Sequence, residues 1–189
     1  MVIGIVTREC RILKAIEGES IVATTRITSD ENVIVAEIVI AAPTERVFEA
    51  IADPDQRRQW WGQRGLYRTT EAHSDLRPGG KWWSVGIGAD GVPFRVEGEY
   101  LEVVPPRLLV HTWLASWTGS LETVVRWELE PRDLESGGSH KGNTGTLVRV
   151  RHEGFAGNAK IARDHENGWK RVLAWMQRFL EANETVDTR

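Results

Sequence analysis

The side chains of this sequence best suited to chemistry are three of its five histidines. His111 alternates with Leu109 and Trp113, and His152 with Val148 and Val150, at the period-two spacing that puts residues on one face of a strand. His165 falls on an apolar stripe with Ile161, Trp169, Val172 and Leu173, at the spacing of one helix face. Imidazoles brought to one interior could act as general acid and base or as metal ligands, because they titrate near neutrality. The competing reading is a set of hydrogen-bonded core histidines, and it is the stronger one. None of the three has the tight spacing of a zinc motif, and no carboxylate is paired with them. His111, His152 and His165 therefore stand as catalytic candidates only, and no metal site and no cofactor is assigned. Asp164, His165 and Glu166 are contiguous, so on a helix they point about 100° apart and cannot share one ligand. They read as a solvated helix start.

The other chemistry-bearing type is tryptophan, present nine times against two tyrosines and four phenylalanines. Each indole is a large apolar body with one N–H that needs a partner when buried. Some of these rings must form core, and others are expected to line a pocket or cover a partner surface. Trp60 and Trp61 are neighbours, so one should enter a cavity while the other packs elsewhere. Trp82 and Trp83 on a strand must face opposite sides, and an exposed ring on the outer face would mark a dimer or partner patch. The expected cavity lining comes from three places: Trp61, Trp82 and Phe94; the strand residues Trp113, Trp127, Val150 and His152; and His165 and Trp169 on the last helix.

Two further patterns carry no chemistry. Gly86-Ile87-Gly88-Ala89-Asp90-Gly91 matches a phosphate-binding fingerprint, but that motif needs a helix after it. Here an Asp-Gly hairpin signal lies inside it and a strand follows. Cys10 is the single cysteine, which excludes an internal disulfide and a cysteine-rich zinc site, and no Ser/His/Asp or Cys/His nucleophilic set is visible.

The elements that must position these residues follow from periodicity. Val33 to Ala41 reads as a strand. Pro43 opens a helix carrying Val47, Phe48 and Ile51 on one face, and Asp53-Pro54 ends it. A second short helix spans about Pro54 to Trp60, with Gly62 and Gly65 at its exit. Six strands then follow: Leu66–Asp75, Lys81–Gly88, Phe94–Val104, Arg107–Ser116, Leu121–Glu130 and Thr144–His152. In the fifth, Thr123, Val125, Trp127 and Leu129 alternate with mostly polar residues, as a sheet covered on one side requires. Residues 132–143 form a polar Gly/Ser-rich loop. The last helix, about Asn158 to Glu181, is densely apolar in its C-terminal half and less bulky around His165 and Gly168. A glycine there costs about 1 kcal/mol against alanine, so a packing reason is expected. Residues 1–31 form an N-terminal extension, an extra strand or a loose arm; 32–182 form the domain; 183–189 form a tail.

Composition limits the function classes. A hydrophobic fraction of 41% and a charged fraction of 27% are those of an ordinary globular chain. A net charge of -3 gives no basic footprint for nucleic acid. The apolar run Val2–Val6 is shorter than a secretory core, and no stretch reaches the ~20 apolar residues of a membrane span. A cytoplasmic location is expected.

The ordered set Ile38-Val39-Ile40-Ala41-Ala42-Pro43, Trp60-Trp61-Gly62, Asp75-Leu76-Arg77-Pro78-Gly79-Gly80, Gly98-Glu99-Tyr100, Pro105-Pro106-Arg107-Leu108, Trp127-Glu128-Leu129, His152-Glu153-Gly154-Phe155 and Gly168-Trp169 carries a resemblance. From about residue 33 to 182 the chain resembles the START-like, birch-allergen-like (SRPBCC) superfamily, in the subgroup of the activator of the heat-shock-protein-90 ATPase. That resemblance implies an α+β helix-grip fold: a curved antiparallel sheet around a long C-terminal helix, with two short helices after the first strand and a cavity between sheet and helix. It does not imply one activity. The preferred reading is binding of a small apolar or aromatic, lipid-like ligand. The alternatives are a partner-interaction or co-chaperone-like module, as a homodimer or on a chaperone, and a cyclase- or dehydratase-type enzyme using a cavity histidine.

Overall fold

The structure is a computed structural model and describes residues 23–28, 30–134 and 144–188. Cys10, most of the N-terminal extension and the centre of the 132–143 loop lie outside the described residues.

Chain order is β1 (Thr24–Ile27), β2 (Val33–Ile40), α1 (Thr44–Ala52), α2 (Pro54–Trp60), β3 (Gly62–Gln63), β4 (Tyr67–Ser74), β5 (Lys81–Gly88), β6 (Pro93–Val104), β7 (Leu108–Ala115), β8 (Glu122–Asp133), β9 (Thr144–Glu153) and α3 (Ala159–Ala182). All strands join one antiparallel sheet in the order β1-β2-β9-β8-β7-β6-β5-β4-β3. Strands β3 to β9 are therefore a plain meander. The α1–α2 pair carries the chain from β2, near one edge, to β3 at the other. This is the helix-grip architecture.

Side-chain alternation sets which face is covered. On β8 Thr123, Val125, Trp127 and Leu129 are buried, and on β9 Thr146, Val148, Val150 and His152 are buried. The outer face is laced by charge pairs such as Arg149–Glu37, Arg126–Glu128 and Arg151–Glu153. Exposed pairs of this kind add little stability, but they keep that face wet and so fix which face meets α3. Trp83 sits on this outer face, stacked on His73 and covered by the Arg95 guanidinium, so it is no bare aromatic patch.

Asp53 divides the two short helices. It ends α1 in extended geometry and caps α2, its carboxylate accepting from the N–H of Asp55 at 2.7 Å and of Gln56 at 3.0 Å. Helix α3 ends at Asn183, whose φ of 53° and N–H bonds to the Arg178 and Phe179 carbonyls make a left-handed cap.

The structure corrects the periodicity reading in four places. A two-residue strand, β3, adds to one sheet edge; at the other, β1 lies in the N-terminal extension, where an extra strand is one of the two readings. Strand β8 runs on to Asp133, because Pro131, Arg132 and Asp133 stay in register with Thr146, Gly145 and Thr144. The buried face of α3 is wider than one stripe: Trp175 is buried too, its indole N–H donating to Gln63 Oε1 at 3.1 Å and its ring edging Tyr67. The sheet edge curls over the helix flank and covers it. Gly168 has no packing reason, since a Cβ there would meet no atom within 4 Å. In the C-terminal segment Val186 is buried and its N–H donates to the Gln59 carbonyl at 2.7 Å.

Candidate functional site

The two halves of α3 meet the sheet differently. Leu173, Met176 and Phe179 in the C-terminal half pack against Ile40, Val47 and Phe48 in one continuous core. Toward the N-terminal half His165 and Gly168 leave the helix face thin, and a cavity of about 730 Å³ opens between helix and sheet. Its walls are Trp61 after α2, Phe94 and Val96 on β6, Trp113 on β7, and His165, Gly168 and Trp169 on α3. Three of the indoles form a connected surface: Trp61 stacks on Trp113 at 5.9 Å between centroids and meets Trp169 edge-on at 6.1 Å. At the mouth stand Leu66, Val92 and Trp117, all exposed, with Trp117 edge-on to Phe94. An apolar, aromatic-lined space of this size suits a small organic molecule.

Five of the residues expected to line a cavity do so: Trp61, Phe94, Trp113, His165 and Trp169. Trp127, Val150 and His152 are corrected to the layer beneath. The Trp169 ring stands over Trp127 at 5.2 Å and His152 at 5.9 Å and screens both from the cavity. Trp82 is likewise corrected: its ring lies behind Trp113, 5.5 Å away. The sequence reading missed Val96 and Trp117. Val96 was legible as the same-face neighbour of Phe94, two residues on, whereas Trp117 sits in a turn where no period exists.

Each histidine has a defined role in hydrogen bonding. The Trp169 N–H donates to His152 Nδ1 at 3.1 Å, so the proton of this ring is on Nε2, which donates to Thr123 Oγ1 at 2.7 Å. The threonine hydroxyl in turn donates to the Trp113 carbonyl at 3.2 Å. His111 is the mirror case. Its Nε2 accepts from the Trp127 N–H at 3.3 Å, and its Nδ1–H donates to the Thr112 carbonyl at 3.0 Å. Burial pushes His111 down to about 3, the Thr112 carbonyl opposing and the Arg57 charge assisting. Burial also holds His152 well below the ordinary value, with His165 and His111 adding to the effect. Both rings are neutral, fully bonded and away from the cavity. His165 differs. It lines the cavity, its Nδ1–H donates to the Ile161 carbonyl at 2.9 Å, and its Nε2 has no partner. Burial lowers its pKa, against the pull of the Ile161 carbonyl and the Asp164 charge, so the lone pair of this buried nitrogen is left without a donor. The three imidazoles do not converge on one point of the cavity. Among the described residues no group of three or more His, Cys, Asp or Glu side chains is placed to hold a metal ion.

The fold recurs in solved structures. A protein from Rhodobacter sphaeroides superposes with a TM-score of 0.70 at 21% identity, over 85% of this chain and 99% of that one. Protein Ms6760 from Mycobacterium smegmatis gives 0.67 at 20% identity, over 85% and 98%. The AHSA1 protein from Silicibacter pomeroyi gives 0.66 at 23%, over 80% and 99%. At these identities the likeness speaks for the fold alone. A search of curated proteins finds no match. Residues 41–181, well over half the chain, match the family described as activator of Hsp90 ATPase homolog 1-like protein. That span runs from the end of β2 through nearly all of α3 and holds every wall of the cavity, and on this ground the chain belongs to the activator of Hsp90 ATPase homolog 1-like family, within the START-like superfamily.

Proposed function

We propose that this protein binds a small apolar or aromatic molecule in the cavity between the sheet and α3. The observation that carries the reading is the lining itself: connected faces of Trp61, Trp113 and Trp169, closed by Phe94 and Val96. Apolar walls supply the affinity for an apolar or aromatic body. The test is a titration of delipidated protein with fatty acids, flavonoids and aromatic polyketide-like compounds. Tryptophan fluorescence and the thermal midpoint are followed together, since a ligand that binds only the folded state raises the midpoint. Saturable quenching with a matching rise is expected. Silence across the panel, with no molecule carried through native purification, would count against it.

A second reading, docking of a chaperone or another partner, is favoured by the exposed apolar rim at Leu66, Val92 and Trp117 and by the family's name. Replacing Val92 and Trp117 by serine together separates the two: partner capture would be lost, while a ligand held deep in the cavity would be retained. For the enzymatic alternative His165 is the one of the three candidate histidines that lines the cavity, so turnover would have to vanish on His165→Ala while ligand still binds.

A further inference from the structure

Behind the tryptophan wall lies a second, much smaller space of about 20 Å³, bounded by Arg57, Thr69, Trp82 and Ser84. It shares Trp61, Phe94, Val96 and Trp113 with the large cavity, so only those side chains separate the two. Its polar groups are mostly donors. Trp113 Nε1 and Ser84 Oγ are buried and have no hydrogen-bond partner; Trp82 Nε1 is unpartnered too, but it lies over Gly98, which does not bound the space. An indole N–H can only donate, and a serine hydroxyl has a proton to give. Arg57 adds a cation. It is 6% exposed, its Nε and Nη2 both donate to one carbonyl oxygen, that of Ile51, and its guanidinium lies 5.2 Å from the centre of the Trp82 ring. Among the described residues no carboxylate comes within ion-pair distance of it.

A structural role explains part of this. The Arg57–Ile51 bonds tie α2 to the end of α1, and they require an arginine or something like it. They do not explain the orphaned Ser84 Oγ and Trp113 Nε1. Buried N–H and O–H groups without partners each cost free energy, and a buried guanidinium held only by a neutral carbonyl and a ring face keeps its charge uncompensated. One negative oxygen placed among these groups would satisfy several of them at once.

We infer that this recess receives the carboxylate of an acidic ligand whose apolar body occupies the large cavity. The inference rests on the proposed ligand-binding reading and narrows it from apolar molecules in general to organic acids. The recess has room for about one or two oxygen-sized atoms, which suits a carboxylate oxygen and is tight for a phosphate or sulfate group. In this arrangement Trp113, on the shared wall, and Ser84, on β5, donate to the carboxylate, and Arg57 is the counter-charge.

The test compares two probes that differ only at one end, 6-phenylhexanoate and 6-phenylhexan-1-ol, titrated by calorimetry into the full chain near pH 7. The acid is expected to bind about tenfold tighter or more than the alcohol, the size of one charge-assisted contact in a buried site. Arg57→Met should remove that preference while the alcohol affinity stays within about threefold. Ser84→Ala, which takes away one hydroxyl and almost no volume, should weaken the acid alone by about three- to tenfold, and it keeps the test open where Arg57→Met does not fold. Equal binding of acid and alcohol overturns the carboxylate site and leaves the cavity reading standing. So does a preference for the acid that survives both substitutions. Failure of both probes to bind overturns the two readings together.

Discussion

His111 and His152 are each the acceptor for one tryptophan N–H, and that pairing explains why both can be buried at all. A buried indole needs an acceptor, a buried neutral imidazole has one to offer, and each pair closes two needs with one bond of 3.3 or 3.1 Å. The arrangement works only while the rings are neutral. Their pKa values are depressed in the folded state, His111 to about 3, so the unfolded chain takes up protons through about pH 6.5 while the folded one does not. Stability is then full above neutrality and falls as pH drops below about 6.5. Between about pH 7.5 and 5.5 the loss should be about 1.4 kcal/mol for each ring, or about 3 kcal/mol for the two. Urea unfolding at those two values checks it, and a flat result would show that the rings are not buried neutral. Thr123→Val orphans the His152 Nε2–H, and Trp127→Phe leaves His111 Nε2 without its donor. Each should cost about 1–3 kcal/mol in the same assay.

At the scale of the element, α3 does two jobs with its two halves. Its C-terminal half is core, and Met176→Ala there should lose about 2–5 kcal/mol while the folded protein keeps its ligand affinity. Its N-terminal half is the roof of the cavity, and Gly168 is the point where the roof is thinnest. With nothing near its missing Cβ, Gly168→Ala should stabilise the helix by up to about 1 kcal/mol and raise the thermal midpoint by about 2–4 °C. Gly168→Phe would put a ring into the space instead. It should leave the circular-dichroism spectrum intact and abolish the ligand-induced thermal shift. A glycine that costs stability and packs against nothing is accounted for by the room it leaves.

For the whole molecule the measurable consequence is linkage. A ligand held at about a hundred times its Kd adds about 2.7 kcal/mol, which for a domain of this size raises the midpoint by about 5–10 °C. The long strands, the two short helices and α3 were legible because their signals are local: alternation on β8 and β9, proline and aspartate at the helix junction, a 3.6-residue stripe at the C-terminus. Their arrangement was expected from the family resemblance, and the strand order is set by pairing. The edge strand β3 was not legible, because two residues are too few for a period to show, and β1, of four, was legible only as one of two readings of the extension. Nor was the extension of β8 through Pro131, which pairing with β9 decides.

The sequence by itself determined which residues face inward. Period two on strands and 3.6 on helices are properties of the backbone, so His111, Trp113, Trp127, Val150, His152 and Trp169 had to meet one interior. Only the tertiary structure decided which of them reach the cavity. Depth depends on which ring lies over which, and Trp169 covers Trp127 and His152 while Trp113 stands before Trp82. It also decided that His165 alone of the three inward histidines keeps a nitrogen without a partner, and that Arg57, on a short helix with no inward pattern to mark it, is folded in beneath the aromatic wall. Facing is set by local geometry, whereas screening and charge proximity are set by packing between elements far apart in the chain.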